Sequence, residues 1–202
     1  MGHVFTFANQ KGGVGKTTTA ANLGSALAEI GHTVLLIDFD SQGNLSSSVG
    51  ADRDAPGIYR VLSGDRSVAD VVQETSQPGL VVVSGGSDLT GANIELVNEE
   101  RREYFLREAL ATARDEYEYV FIDSPPSLGL LTLNALVAAD SCIIPLQTEY
   151  FALEGLTQLL QNIKRVQTNF NHDLELFGIL FTMYDSRTRL ANDVVQEVIG
   201  YF

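Results

Sequence analysis

The chain predicts an α/β protein: a three-layer, mostly parallel, twisted sheet with helices on both faces. Three observations carry this expectation. Short apolar runs alternate with helix-period segments along the 202 residues. Residues 34–37 are continuously apolar, as in a strand buried on both faces. Three of the runs end in polar, chemistry-bearing turns, and ligands of open α/β sheets sit beyond the carboxyl ends of strands. The length is that of one domain with a sizeable core, so residues 1–202 are expected to form a single unit.

Taken in order, residues 4–8 (Val-Phe-Thr-Phe-Ala) suit a buried first strand. The stretch Gln10-Lys11-Gly12-Gly13-Val14-Gly15-Lys16-Thr17 follows, and a helical run over 18–30 leads out of it. Ala20, Leu23, Leu27 and Ile30 are spaced to make one apolar helix face, and Gly31 ends the helix. Strand, glycine loop and helix form the setting of a phosphate-binding loop. Glycines let consecutive backbone N–H groups converge on an anion, and the helix adds its positive end. Gly12, Gly13, Val14, Gly15, Lys16, Thr17 and Thr18 are therefore the candidate nucleotide-binding residues. Lys16 can lie along the β- and γ-phosphates, and the Thr17 hydroxyl can ligate Mg²⁺.

Residues 33–38 form a second strand ending in Asp38-Phe39-Asp40-Ser41-Gln42-Gly43-Asn44. Of two carboxylates beside a nucleotide loop, one can orient the water that attacks a γ-phosphate. The other can hold the Mg²⁺ shell or neighbouring backbone. Residues 45–79 are less periodic, with short helices at 58–62 and 68–72 around Gly64-Asp65. Residues 80–83 are a third strand closed by Gly85-Gly86, and 95–113 reads as one long helix with a solvated face of Glu and Arg.

The strand at 119–122 ends in Asp123-Ser124-Pro125-Pro126, the Walker B arrangement, in which the carboxylate receives Mg²⁺ through water. The prolines stiffen the turn after it. A helix over 130–139, a strand over 141–145, a helix over 152–168 and a strand over 175–183 continue the alternation. Asp185-Ser186-Arg187-Thr188-Arg189 opens a last helix over 190–199.

Composition narrows the function. No apolar run reaches the ~18 residues of a membrane span, and the N-terminus runs directly into a strand, so no signal peptide is expected. The one cysteine, Cys142, excludes an internal disulfide and reads as a small core residue. Net charge is −13 with lysine only at 11, 16 and 164, so the overall field repels nucleic acid and any contact with it must come from a local arginine patch.

The glycine loop departs from G-x-x-x-x-G-K-[ST]: Gln10 replaces the first glycine, and a further lysine stands at 11. It resembles the deviant Walker A motif, K-G-G-V-G-K-T, of the ParA/Soj/MinD group of P-loop NTPases. Four blocks together resemble the ParA/Soj-type partition ATPases: residues 9–19, 35–44, 119–126 and 182–188. That resemblance implies a cytoplasmic, nucleoid-associated ATPase using ATP and Mg²⁺. ATP closes a homodimer, and the dimer binds DNA without sequence preference. A ParB-type centromere-binding partner stimulates hydrolysis. It assigns catalysis to Lys11, Lys16 and Asp40, with Lys11 reaching the other subunit's phosphates and Asp40 orienting the lytic water. Thr17 and Asp123 would serve the metal, with Asp38 a further candidate, and Arg187 would contact DNA.

The chain departs from the family in three places. Ser41 stands where the family has proline, lysine and arginine are sparse, and the family continues beyond residue 202 through a further strand and helices. A MinD-like membrane-associated ATPase is one alternative; it requires a basic amphipathic tail, which these residues lack. A nitrogenase-iron-protein-like carrier requires two cluster cysteines. A nucleotide-gated binding module without hydrolysis is the third.

Overall fold

The computed structural model describes residues 2–150 and 152–201; Met1, Phe151 and Phe202 lie outside them. A seven-stranded sheet runs in the order β3-β4-β2-β5-β1-β6-β7. Its strands are β1 (His3–Phe7), β2 (Val34–Asp38), β3 (Val72–Glu74), β4 (Leu80–Val83), β5 (Tyr119–Asp123), β6 (Ser141–Gln147) and β7 (Glu175–Thr182). The helices are α1 (Lys16–Glu29), α2 (Asn44–Ser48), α3 (Ile58–Leu62), α4 (Val68–Val71), α5 (Leu89–Glu95), α6 (Phe105–Ala113), α7 (Leu130–Ala138), α8 (Ala152–Asn169) and α9 (Arg189–Tyr201). Among the described residues every strand pairing is parallel except β3 with β4.

The central strands are apolar on both sides because helices cover both sides. All five residues of β2 are buried, and one core holds Leu35, Ile37, Val120 and Ile122 while a second holds Leu36, Phe121 and Phe7. Phe7 meets Phe121 edge-on at 5.4 Å between ring centroids, which locks β1 to β5 on that face. Cys142 is fully buried in β6, and burial pushes its thiol up to about 12, so it is an inert core residue.

Three features depart from the sequence reading. The apolar face expected on α1 is buried only in part: Ala20 is buried and Leu27 packs half-buried against the core, but Leu23 and Ile30 do not follow. Lys16, Ala20, Gly24 and Ala28 point inward, while Leu23 and Ile30 are exposed. The helix lies so close to the sheet that a Cβ on Gly24 would stand 2.9 Å from Leu36 Cδ2. Small residues face the strands because close approach, rather than bulk, fills that interface.

The single long helix expected over 95–113 is instead α5, two short 3₁₀ turns (Leu96–Asn98 and Arg102–Tyr104) and α6. Arg101 adopts φ 57°, which no helix continues through. The Asn134 side chain on α7 supplies the reason for a new start. Its Oδ1 accepts from Leu106 N at 3.1 Å and its Nδ2 donates to Arg102 O at 2.8 Å, capping α6 from outside. Third, the short antiparallel β3 and the one-turn helix α2, in and beside the less periodic stretch 45–79, are elements the sequence reading did not include.

Candidate nucleotide-binding site

The site lies at the carboxyl ends of β1, β2 and β5, adjacent in the sheet. Asp38 at the end of β2 pairs in register with Asp123 at the end of β5, so the two carboxylates emerge side by side. The Ser124 hydroxyl donates to Phe7 O at 2.6 Å, tying the end of β5 to the end of β1, where the glycine loop begins.

The loop is curled by Gly13 at φ 74° and Gly15 at φ 89°, conformations that favour glycine. Gly15 is the N-cap of α1, and no side chain caps that terminus. The helix start therefore offers its amide donors to a ligand. Asn9 anchors the base of the loop: its Oδ1 accepts from Lys11 N at 3.0 Å, and its Nδ2 donates to Pro145 O at 2.7 Å. From the far side, the Thr182 hydroxyl at the end of β7 donates to Val14 O at 2.7 Å.

In front of the loop lies a cavity of about 790 Å³ whose lining includes Gly12, Gly13, Gly15, Lys16, Thr17, Thr18, Asp40 and Pro126, with Gln42, Asn44, Ser48, Thr182 and Met183 on its wall. Lys16 is buried, and its Nζ donates to Lys11 O at 3.2 Å, folding back over the loop. Burial lowers its pKa, and the charges of Asp123 and Asp40 oppose that fall.

Asp123 lies at the end of β5. It is only 1% exposed, and neither carboxylate oxygen has a hydrogen-bond partner of good geometry. Burial raises its pKa to about 7; the neighbouring Thr17 hydroxyl and the Lys16 charge give partial relief, while Asp38 and Asp40 push the other way. A buried carboxylate with two unsatisfied oxygens beside a threonine hydroxyl is a donor set that suits a hard divalent cation and its water shell. Thr17 and Asp123 thus fit Mg²⁺.

Asp38 is arranged differently. It is fully buried, but its Oδ2 accepts from Ser46 N at 2.8 Å and from the Ser46 hydroxyl at 2.6 Å, and its Oδ1 accepts from Asp40 N at 3.3 Å. Burial raises its pKa and the Ser46 bonds work against that. Of the two tasks the sequence leaves open for this carboxylate, the geometry matches holding neighbouring backbone. Ser46 also accepts from Gly85 N at 3.0 Å, so one buried hydroxyl joins β2, α2 and the turn after β4. Asp40 lies further out, with its Oδ1 accepting from Gln42 N at 3.0 Å in a local turn that fixes the carboxylate at the cavity wall.

Two sequence-predicted residues stand outside this cluster. Lys11 is half-exposed, and its Nζ donates to Glu149, just after β6. Arg187 is exposed and clamped by Asp185, with Nε to Oδ1 at 2.8 Å and Nη2 to Oδ2 at 2.7 Å. Sequence reasoning missed Ser46, Ser48, Thr182 and Met183. Ser46 and Ser48 sit in a helix of one turn, too short to show a period. Thr182 meets the loop across 168 positions of chain, which no local pattern reports. Met183, which follows β7, has φ 50°, a left-handed conformation uncommon for a side-chain-bearing residue.

A parallel α/β sheet with an uncapped glycine loop, a buried lysine and a Walker B aspartate defines a P-loop nucleotide-binding protein. Residues 2–176 match the AAA domain family. The chain is 52% identical over 202 residues to the chromosome-partitioning ATPase Soj of Treponema pallidum, covering 100% of this chain and 79% of that protein. The chain belongs to the ParA/Soj family of partition ATPases.

Among solved structures, a Mycobacterium smegmatis protein named cobyrinic acid a,c-diamide synthase, with bound ATP analogue and magnesium, superposes with a TM-score of 0.95 at 44% identity, covering 100% of this chain and 83% of that one. A plasmid partition protein from Borrelia burgdorferi superposes with a TM-score of 0.86 at 26% identity, covering 98% of this chain and 85% of that one. Among the described residues, no helix is long and apolar enough to cross a membrane.

Proposed function

We propose that this chain is a Mg²⁺-dependent ATPase that partitions DNA, dimerising over ATP, binding DNA without sequence preference as the dimer, and being stimulated by a ParB-type partner. The observation that carries the hydrolytic part is the convergence of Lys16, Thr17 and Asp40 on one cavity, with the Asp123 carboxylate buried behind Thr17 and Lys16 and both its oxygens without a well-formed hydrogen bond.

The chemistry follows from what each group can do. The amides of residues 12–18 and the start of α1 receive the phosphates. Lys16 exchanges its bond to Lys11 O for phosphate oxygens, where its charge meets the charge developing on the transferred group. Thr17 and Asp123 are the residues that would hold Mg²⁺, which would supply positive charge beside the phosphates. Asp40 orients the attacking water. Asp38 fixes the Asp40 backbone and α2 and takes no part in binding metal. Lys11 completes the other subunit's phosphate site, so a single subunit turns over slowly.

Arg187 makes the DNA contact, exchanging Asp185 for a phosphate. That contact is salt-sensitive, because counterion release drives it. The test is DNA retention and ATP turnover with ATP, ADP or neither, across salt concentrations, with and without a DNA-bound partner. ATP-dependent retention together with stimulated turnover supports the proposal. ATP binding with no turnover under any condition would reduce the protein to a nucleotide-gated binding module.

A further inference from the structure

We infer that Glu149 is a positioning residue for Lys11: it holds the first loop lysine within its own subunit, and this ion pair must open before Lys11 can enter a second copy's nucleotide site. The inference rests on the proposed action of Lys11 across a dimer. Both ends of Lys11 are tied to the segment around the end of β6. Its amide donates to Asn9, which in turn donates to Pro145 O, and its Nζ donates to Glu149. The acceptor is also held. Glu149 N donates to Gln147 O at 2.9 Å, and Glu149 O accepts from Ala152 N at 3.0 Å at the start of α8. The carboxylate is thus presented from a fixed turn.

The pair has the energetics of a releasable latch. Lys11 and Glu149 side chains are 49% and 45% exposed, so water screens their attraction. A triphosphate with its several charges outcompetes one solvated carboxylate. Glu149, left behind in solvent, suffers little desolvation when the lysine leaves. Measured exposed pairs correspond to about 1.4- to 5-fold in an equilibrium constant. A dimer opens two latches, so together they weaken association by roughly 2- to 30-fold.

Sedimentation velocity with a non-hydrolysable ATP analogue and Mg²⁺ tests this. Glu149→Gln should tighten the dimer by about 2- to 30-fold, with the affinity of the monomer for fluorescent ADP unchanged. The difference from wild type should shrink as salt rises, a dependence that a purely structural role for Glu149 would not produce. Lys11→Ala should abolish the dimer, and Lys11→Ala/Glu149→Gln should behave as Lys11→Ala does. If Glu149→Gln dimerises as wild type does, or more weakly, while Lys11→Ala still fails, the latch is wrong and the reading of Lys11 stands. A normal dimer in Lys11→Ala overturns that reading itself.

Discussion

Replacing Asp123 by asparagine should make the empty protein more stable while removing its metal-dependent nucleotide binding, and the gain should depend on pH. The Asp123 carboxyl is pushed by burial from 3.8 to about 7. Between those values the folded chain keeps a proton that the unfolded chain has released. Stability therefore falls as pH rises through that window and levels off above about 7. Asparagine has no such proton. Its own unsatisfied amide carries a penalty, but one that does not change with pH. From about pH 5.5 to the plateau is roughly 1.5 units at about 1.36 kcal/mol each, so the stability gap between variant and wild type should widen by about 2 kcal/mol. For a domain of this size that is a relative shift in Tm of about 4–8 °C.

Scanning calorimetry of both proteins without nucleotide, at the two ends of the pH range, measures it directly. Titrations common to both chains cancel in the difference. A gap that does not change with pH would show that Asp123 is ionised, and therefore satisfied, in the empty site. For the wild type, Mg²⁺–nucleotide binding should release a proton below about pH 7, so its affinity should climb with pH there. The asparagine variant should lose the metal-dependent part altogether.

Two further outcomes follow from the same site and a third from Arg187 outside it. Ser46→Ala removes two bonds to buried groups, one to Asp38 at 2.6 Å and one from Gly85 at 3.0 Å. It should lower stability by about 2–3 kcal/mol, read by urea denaturation; a loss under about 0.5 kcal/mol would remove Ser46 from its structural role. Asp40→Ala should bind ATP normally and accumulate as an ATP-bound dimer with turnover reduced at least about 100-fold, as measured by phosphate release and sizing; rapid turnover would rule out Asp40 as the group that orients water. Arg187→Glu should weaken DNA retention and flatten its salt dependence by about one phosphate contact, with ATP affinity unchanged; equal retention at low salt would remove the residue from the DNA surface.

How much of this was legible in the chain depended on how local the cause was. The glycine loop announces itself because Gly13 and Gly15 supply the positive φ that the curl needs, and the helix after it begins within two residues. Apolar runs ending in Asp38 and Asp123 place two carboxylates at strand ends without any coordinates. The division of labour between them was not legible. Asp38 is satisfied by Ser46, eight residues on, whereas Asp123 is left unpaired, and both facts arise from how α2 and β5 sit against β2. The same holds for the helix expected over 95–113. Its charge pattern was compatible with one helix, and an asparagine on α7 supplied the cap that favours two.

The sequence by itself determined the βα alternation that frames the site, the mostly parallel character of the sheet and the phosphate loop, since each follows from short-range periodicity or from glycine's freedom of backbone. Tertiary structure alone decided which face of α1 is buried, which aspartate is left open to a cation, and that Lys11 rests on Glu149. Those outcomes depend on contacts between residues as much as 138 positions apart, and the energy of such a contact is fixed by packing distance and burial, which no local window of sequence contains.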